Sequence, residues 1–351
     1  MAIPDNYTYS LSEVYDELQF SGAPYASASL SNMFADAPQG GYCSAYSGTT
    51  SCLRNYRGYE LMPSFSGTTN GGFNRSVYDH VNKYTYLTHG APIGFQCLDK
   101  INDENYATVS AITMSAGEII FDGNNHLWYA GAGNKNVGKF NVTTGVDSVY
   151  TGFVGCPQAL AFDGTDVWSA DICTTGDGRF SKITSGGTVT SRSCNLLCQV
   201  GGIAFDGNDI WVTSRGNDSV GKINTSTCAV TVYSLTSVGC QPTKMTFDGT
   251  YLWTVNTGCD TFSRISTSGV VTNFTGTTGV VGYGRWITND GTNVWVTNGN
   301  VSSVTKIYPS GCIRTYTRPW SSFYAWSYDC DANRLWVSNN CSIICYTKIN
   351  V

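Results

Sequence analysis

A short motif, an apolar pair running into Asp-Gly or its variant and then a Trp strand, recurs six times in this chain. The copies IIFDGNNHLWYAG, LAFDGTDVWSAD, IAFDGNDIWVTS, MTFDGTYLWTVN, ITNDGTNVWVTN and WSYDCDANRLWVSN place Trp128, Trp168, Trp211, Trp253, Trp295 and Trp336 at intervals of 40, 43, 42, 42 and 41 residues. A basic marker trails each Trp, at Lys139, Lys182, Lys222, Arg264, Lys306 and Lys348, offset by 11 or 12 residues except for 14 in the second unit. A fixed period constrains the fold more than local propensity does, because each unit must bury its apolar face against the next copy.

Each unit reads as four short strands: an apolar run ending in Phe-Asp-Gly, the Trp strand, a Lys-Ile strand and a Thr/Val/Tyr-rich strand. Asp-Gly followed by Asn or Thr is turn chemistry, since Gly and Asn tolerate positive φ. Four strands and one Trp per repeat predict an all-β chain, a six-bladed β-propeller. A solenoid would need shorter repeats with polar caps, and a sandwich would not repeat its sequence. The last unit has three strands, and residues 105–113 (NYATVSAIT) would complete it and close the ring at 105–351. CLDKIN at 97–102 also matches CYTKIN at 345–350, which leaves seven blades open. Residues 61–104 are then a linker with extra strands, and residues 1–60 a small irregular arm with short helices near Ser10 and Ser31.

Recurrence assigns most conspicuous residues to structure. Asp122, Asp163, Asp206, Asp248, Asp290 and Asp329 stand beside turns, where a carboxylate bonds local backbone N–H groups. The six Trp fill the space between neighbouring blades, and their indole N–H groups need internal partners.

Charged residues make up 13% of the chain, against about 25% in an ordinary soluble domain, and the net charge is −5. Without Lys/Arg runs, nucleic acid is excluded as a partner. No apolar stretch is long enough for membrane insertion, and the first residues lack the features of an export signal. Yet 14 Cys without a C-x-x-C pair favour disulfides. Cys43 with Cys52, Cys156 with Cys173 and Cys240 with Cys259 are the expected pairs, the last two stapling a linker to the loop after the same blade's Trp strand.

Over residues 114–351 the repeats resemble NHL and virginiamycin-lyase-like propellers, a likeness specific for architecture and nearly silent on function. Residues 1–60, with SLSEV, SLSNMFADA and YSGTTSCLRNYRGY, resemble the N-terminal module of virion fibre and tail-associated proteins from phages of Bacteroidota. That resemblance implies attachment to other virion proteins through residues 1–60. It also implies synthesis in a host cytoplasm without a signal peptide and oxidising surroundings after lysis.

The lyase-like relatives would require a His and paired Glu in the central cleft, and Glu is scarce after residue 118. His80, His89 and His126 are the only His, and His126 reads as a turn residue. The expectation is therefore a chain with no catalytic residues, no metal and no cofactor. The linkers before the fifth and sixth copies depart from the repeat, bringing Tyr283, Arg285, Trp286, Trp320, Phe323 and Tyr324 to one face. The residue three after each Trp, including Asn298 and Asn339, is expected to ring that face with amides. Aromatic faces with an Arg and amides suit a host surface glycan or protein; contact with a subunit, including a homo-oligomer partner, and internal packing are the alternatives. The expected function is a virion structural protein displaying a propeller, with a purely structural particle component or a secreted lyase as alternatives.

Overall fold

The computed structural model describes residues 73–79, 82, 84–90, 96–102, 108–113, 116–131, 134–172, 177–235, 240–274, 284–298, 303–317, 328–330, 334–338 and 343–347. Among them are seven antiparallel sheets, spanning 73–113, 116–151, 156–198, 200–234, 242–274, 284–317 and 328–347. The first six have four strands and the seventh has three, always in chain order. The leading strands Phe73–Asp79, Ala116–Phe121, Cys156–Phe162, Val200–Phe205, Pro242–Phe247, Gly284–Asn289 and Tyr328–Cys330 pack side by side in that order, and the first lies against the last. They therefore surround an axis, and the all-β propeller read from the repeat is the architecture observed. No helix among the described residues is long and apolar enough to cross a membrane.

Two expectations about the ring change. The described sheets number seven rather than six, so the match between 97–102 and 345–350 marked a real additional unit. Thr108–Thr113 does not complete the last sheet; it pairs with Gln96–Asn102 as the outer strand of the first. The first sheet escaped the repeat because it has no Trp. Tyr86, third in Tyr84–Gly90 as Trp128 is third in His126–Gly131, fills the position and is buried beside Ile119, Leu127, Tyr129 and Phe140.

The repeated Asp, Trp and basic residue form one device. In sheets two to six the Asp Oδ2 accepts the indole N–H of its own Trp, at 3.1, 2.7, 2.8, 2.6 and 2.9 Å for Trp128, Trp168, Trp211, Trp253 and Trp295. Its Oδ1 accepts backbone N–H groups of the turn, such as Asn208 and Asp209 on Asp206 at 2.9 and 2.7 Å. One carboxylate thus fixes the hairpin turn and satisfies the indole; Gly207, at φ 97°, supplies the positive φ the turn needs. The basic side chain lies over the same ring, with Lys139, Lys182, Lys222 and Lys306 at 4.9, 5.0, 5.3 and 5.3 Å from the Trp centroids.

The same cations reach forward. Lys182, Lys222 and Arg264 donate to the carbonyls of Thr225, Thr267 and Pro309 in the following sheet, at 3.4, 2.9 and 2.7 Å. An outer-strand aromatic completes three of the stacks, with Tyr150, Tyr233 and Phe274 5.6, 5.5 and 5.8 Å from Trp128, Trp211 and Trp253, whereas Trp168 stacks on Phe180 of the third strand at 6.3 Å. Tyr233 also abuts Gly269 of the next sheet, where a side chain would collide with its ring.

The last unit departs from the pattern. Asp329 lies in a strand opposite Trp336, and Trp336 faces Cys345 where the other Trp face their basic markers. Asp329 is seven residues before its Trp, against five or six elsewhere, so it falls short of the turn. Asp331 has the usual spacing and lies outside the described residues.

Candidate axial site

The leading strands of sheets one to six each shift register near their first residue: at Phe73/Arg75, Ala116/Ile119, opposite Ala170/Asp171, and at Val200/Ile203, Pro242/Lys244 and Gly284/Trp286. Such bulges bend a strand and re-aim its side chains, and they are common at barrel rims and beside functional sites. Six at the same end make that end of the axis irregular, while the Asp-Gly turns make the opposite end regular.

At the bulged end, residues four before the turn Asp converge. They are Glu118, Ala159, Gly202, Lys244 and Trp286 in sheets two to six. Lys244 Nζ lies 2.8 Å from Glu118 Oε2, although the two residues sit three sheets apart, so the pair bridges the leading strands of the second and fifth sheets. Glu118 Oε1 accepts the Leu160 N–H at 3.3 Å, and Lys244 also donates to the Gly201 carbonyl at 3.2 Å. The ammonium stands 4.2 Å from the Trp286 ring centroid. Side-chain exposures of 17% for Lys244 and 10% for Glu118 leave the pair sheltered but not sealed from solvent.

Small residues make this approach feasible. A Cβ on Gly202 would meet the Lys244 backbone at 2.7 Å, so glycine lets the fifth leading strand come close to the fourth. Thr213 locks the junction: its Oγ1 accepts the Gly202 N–H at 2.7 Å and donates to the Thr243 carbonyl at 3.3 Å.

The sequence candidates divide. Trp286 belongs to the axial cluster, facing Lys244. Arg285 occupies a bulge in the backbone of Gly284–Asn289. Tyr283, Trp320, Phe323, Tyr324 and Asn339 lie outside the described residues. Asn298, expected to display an amide, is fully buried, and its Nδ2 donates to Thr305 Oγ1 at 3.0 Å, with Thr305 in turn 3.1 Å from Thr315. At the same place in their repeats, Asn256 Nδ2 donates to Ser263 Oγ, and the Asp171 carboxylate accepts from the Ser181 hydroxyl. The odd offset from Trp turns these residues to the other side of the sheet, where they cross-link strands two, three and four instead of ringing a face.

Cys240 and Cys259 are disulfide-bonded, tying the linker before the fifth sheet to the loop after its Trp strand. Cys156 forms no disulfide with a described cysteine; Cys173, Cys43 and Cys52 lie outside the described residues. His126 stands 3.2 Å from Asp122 in a hairpin turn, at the end opposite the bulges. Among the described residues no group of three or more His, Cys, Asp or Glu is placed to hold a metal.

Sequence reasoning missed Glu118 and Lys244. Both were visible in the column four before the turn Asp, as opposite charges where neighbouring repeats hold Ala159 and Gly202. What no spacing reveals is that a ring brings residues 126 positions apart within hydrogen-bond distance.

No protein-family profile and no curated protein matches the chain. Solved structures do. A catalytically inactive virginiamycin B lyase from Staphylococcus aureus with quinupristin matches at a TM-score of 0.72 and 17% identity, covering 83% of this chain and 99% of that one. A selenomethionine-substituted form of that enzyme matches at 0.70 and 18%, covering 83% and 98%. A streptogramin B lyase matches at 0.68 and 16%, covering 81% and 96%. The coverage is more than residues 114–351 can supply, so it extends into the first sheet. The likeness is one of fold. Those propellers are named as lyases, so the expectation of a chain that is not an enzyme does not stand on its fold.

Proposed function

We propose that this chain is a lyase-type enzyme working at the bulged end of its axis, with Glu118 and Lys244 as its proton-handling pair. The observation that carries the reading is the Glu118–Lys244 contact: an opposite-charge pair under the Trp286 ring, held at the junction of five leading strands where Ala159 and Gly202 leave room for it. The fold it shares with lyases supports the same conclusion.

An elimination needs a base for a C–H beside a carbonyl and positive charge where the carbonyl oxygen becomes an enolate. Lys244, its ammonium over the Trp286 face and bonded to the Gly201 carbonyl, suits the second task. Glu118, oriented by the Leu160 N–H, suits the first once a ligand carbonyl takes over Lys244. The C–H electrons become the new C=C bond, the bond to the leaving group breaks toward that group, and Glu118 keeps the proton until release. No water is added, so the summed mass of the products equals that of the substrate.

The test is turnover by the purified chain on ester- and amide-linked compounds, quinupristin first, followed by mass spectrometry. Glu118→Gln and Lys244→Met should each slow turnover by about 100-fold or more. Products heavier by one water, unchanged rates in both variants, or no turnover of any compound by the intact protein would sink the reading.

A further inference from the structure

The fourth and fifth leading strands each carry a bulge beside the axial pair. Gly201 and Gly202 lie between the rungs Val200–Ser214 and Ile203–Val212, and Thr243 lies between Pro242–Asn256 and Lys244–Val255. A bulge takes backbone groups out of the ladder, and where those groups are buried they need other partners. One side chain serves both bulges. Thr213, fully buried and opposite the first, accepts the Gly202 N–H at 2.7 Å and donates to the Thr243 carbonyl at 3.3 Å.

These contacts close a loop through the lysine. From Thr213 the path runs to the Thr243 carbonyl, into the backbone of Lys244 and along its stem to Nζ. Nζ bonds the Gly201 carbonyl at 3.2 Å, and the next residue, Gly202, leads back to Thr213. Lys244 is therefore tied to the fourth leading strand at both root and tip. A lysine stem is flexible, and holding both ends keeps this ammonium 2.8 Å from Glu118 and 4.2 Å from the Trp286 centroid.

The repeat itself does not demand a hydroxyl here. Ala130, Ala170 and Val255 hold the same place, two after the Trp, in sheets two, three and five. Nor does the Thr213 hydroxyl meet a ligand, since the residue is sealed from solvent.

We propose that Thr213 is a positioning residue for Lys244, its hydroxyl aligning the ammonium with Glu118 by fixing the fourth leading strand against the root of the lysine. The proposal rests on the reading of Lys244 as the positive charge of the axial site. The role requires a group that donates and accepts at once, which Ser retains and Val and Ala lack.

The test reads Lys244 directly, without a substrate. Competitive acetylation by trace acetic anhydride, followed by mass spectrometry, gives the reactivity of each lysine in the folded chain. Thr213→Val, which keeps the shape, should raise labelling of Lys244 about 10-fold, the worth of a lost hydrogen bond. Lys182 and Lys222, bonded to Asp166 and Asp209 at the opposite end of the axis, should keep their wild-type labelling. Thr213→Ser should return Lys244 to the wild-type rate, and Thr213→Ala, which copies Ala130 and Ala170, should behave as Thr213→Val without the branched side chain. On any compound the intact chain turns over, Thr213→Val should lower kcat about 10-fold with KM little changed, and Thr213→Ser should restore kcat. Wild-type labelling of Lys244 in Thr213→Val or Thr213→Ala, or a Thr213→Ser chain as reactive as Thr213→Val, would overturn the proposal. A chain that turns over no compound removes the lyase reading, and the labelling still decides whether Thr213 holds Lys244.

Discussion

Replacing Asp290 by Ala tests the device that recurs through the ring. The carboxylate accepts the Trp295 indole N–H at 2.9 Å and the backbone N–H groups of Thr292 and Asn293 at 2.9 and 2.7 Å. Thr292 is exposed, so water can replace its bond, but Asn293 and Trp295 are buried and their donors would be stranded. Two stranded donors at about 1–3 kcal/mol each, with a smaller loss at the turn, predict a destabilisation of about 3–5 kcal/mol. Urea unfolding at neutral pH, followed by Trp fluorescence, measures it; Asp290→Asn, which keeps one acceptor, should lose less. The effect should also depend on pH. Burial pushes the Asp290 carboxyl up, but the Asn293, Trp295 and Thr292 donors outweigh it and hold the group below the usual Asp range. A depressed acid stabilises the fold above its unfolded pKa and loses that contribution as pH falls through the folded one. The gap between wild type and Asp290→Ala should therefore shrink in acid. A loss under about 1 kcal/mol at neutral pH, or a gap independent of pH, would refute the account of the turn.

Asp171 titrates in the opposite sense: burial raises its carboxyl pKa, with partial relief from the Ser169 and Ser181 hydroxyls and the charge of Arg179. The folded state then holds the proton longer than the unfolded one, so stability falls as pH rises from the usual Asp range through the raised pKa. Asp171→Asn, matching Asn256 and Asn298 in the fifth and sixth sheets, should remove that fall without lowering Tm at pH 7; a lower neutral Tm contradicts it. Reducing the Cys240–Cys259 bond, which closes a separation of 19 residues, should cost about 3 kcal/mol, read as a shift in urea midpoint that Cys240→Ser reproduces. Lys222→Met keeps the stem but removes the bonds to Asp209 and Thr267 and the charge over Trp211. It should cost about 1–2 kcal/mol, with a loss near zero showing that the forward contact is incidental.

The repeat made the blade legible because its marks are local: the Asp and its Trp lie five or six residues apart and meet in one hairpin. The first sheet stayed hidden because Tyr86 replaces the Trp and the segment 79–84 lacks Asp-Gly. Closure by 105–113 failed because a strand pairs first with its sequence neighbour when a short turn permits, as Thr108–Thr113 does with Gln96–Asn102. The amide ring was misread through parity: three residues along a strand reverses the side chain, so Asn298 points into its sheet. The axial pair was the least legible, since Glu118 and Lys244 meet only when the ring closes, and nothing in either local sequence marks the other as its partner.

The forward reach of Lys182, Lys222 and Arg264 gives the ring a direction. At these three junctions one sheet offers an outgoing hand and the next a carbonyl to meet it, so the contact depends on the unit downstream. Damage to a turn that offers its carbonyl, at Thr267 for example, frees the lysine of the sheet before it, and loosening travels toward the N-terminus. The same arrangement makes the unit interchangeable. A blade copied or lost whole brings or takes both halves of the contact, so a ring of this kind can change its number of blades without new chemistry at the seams.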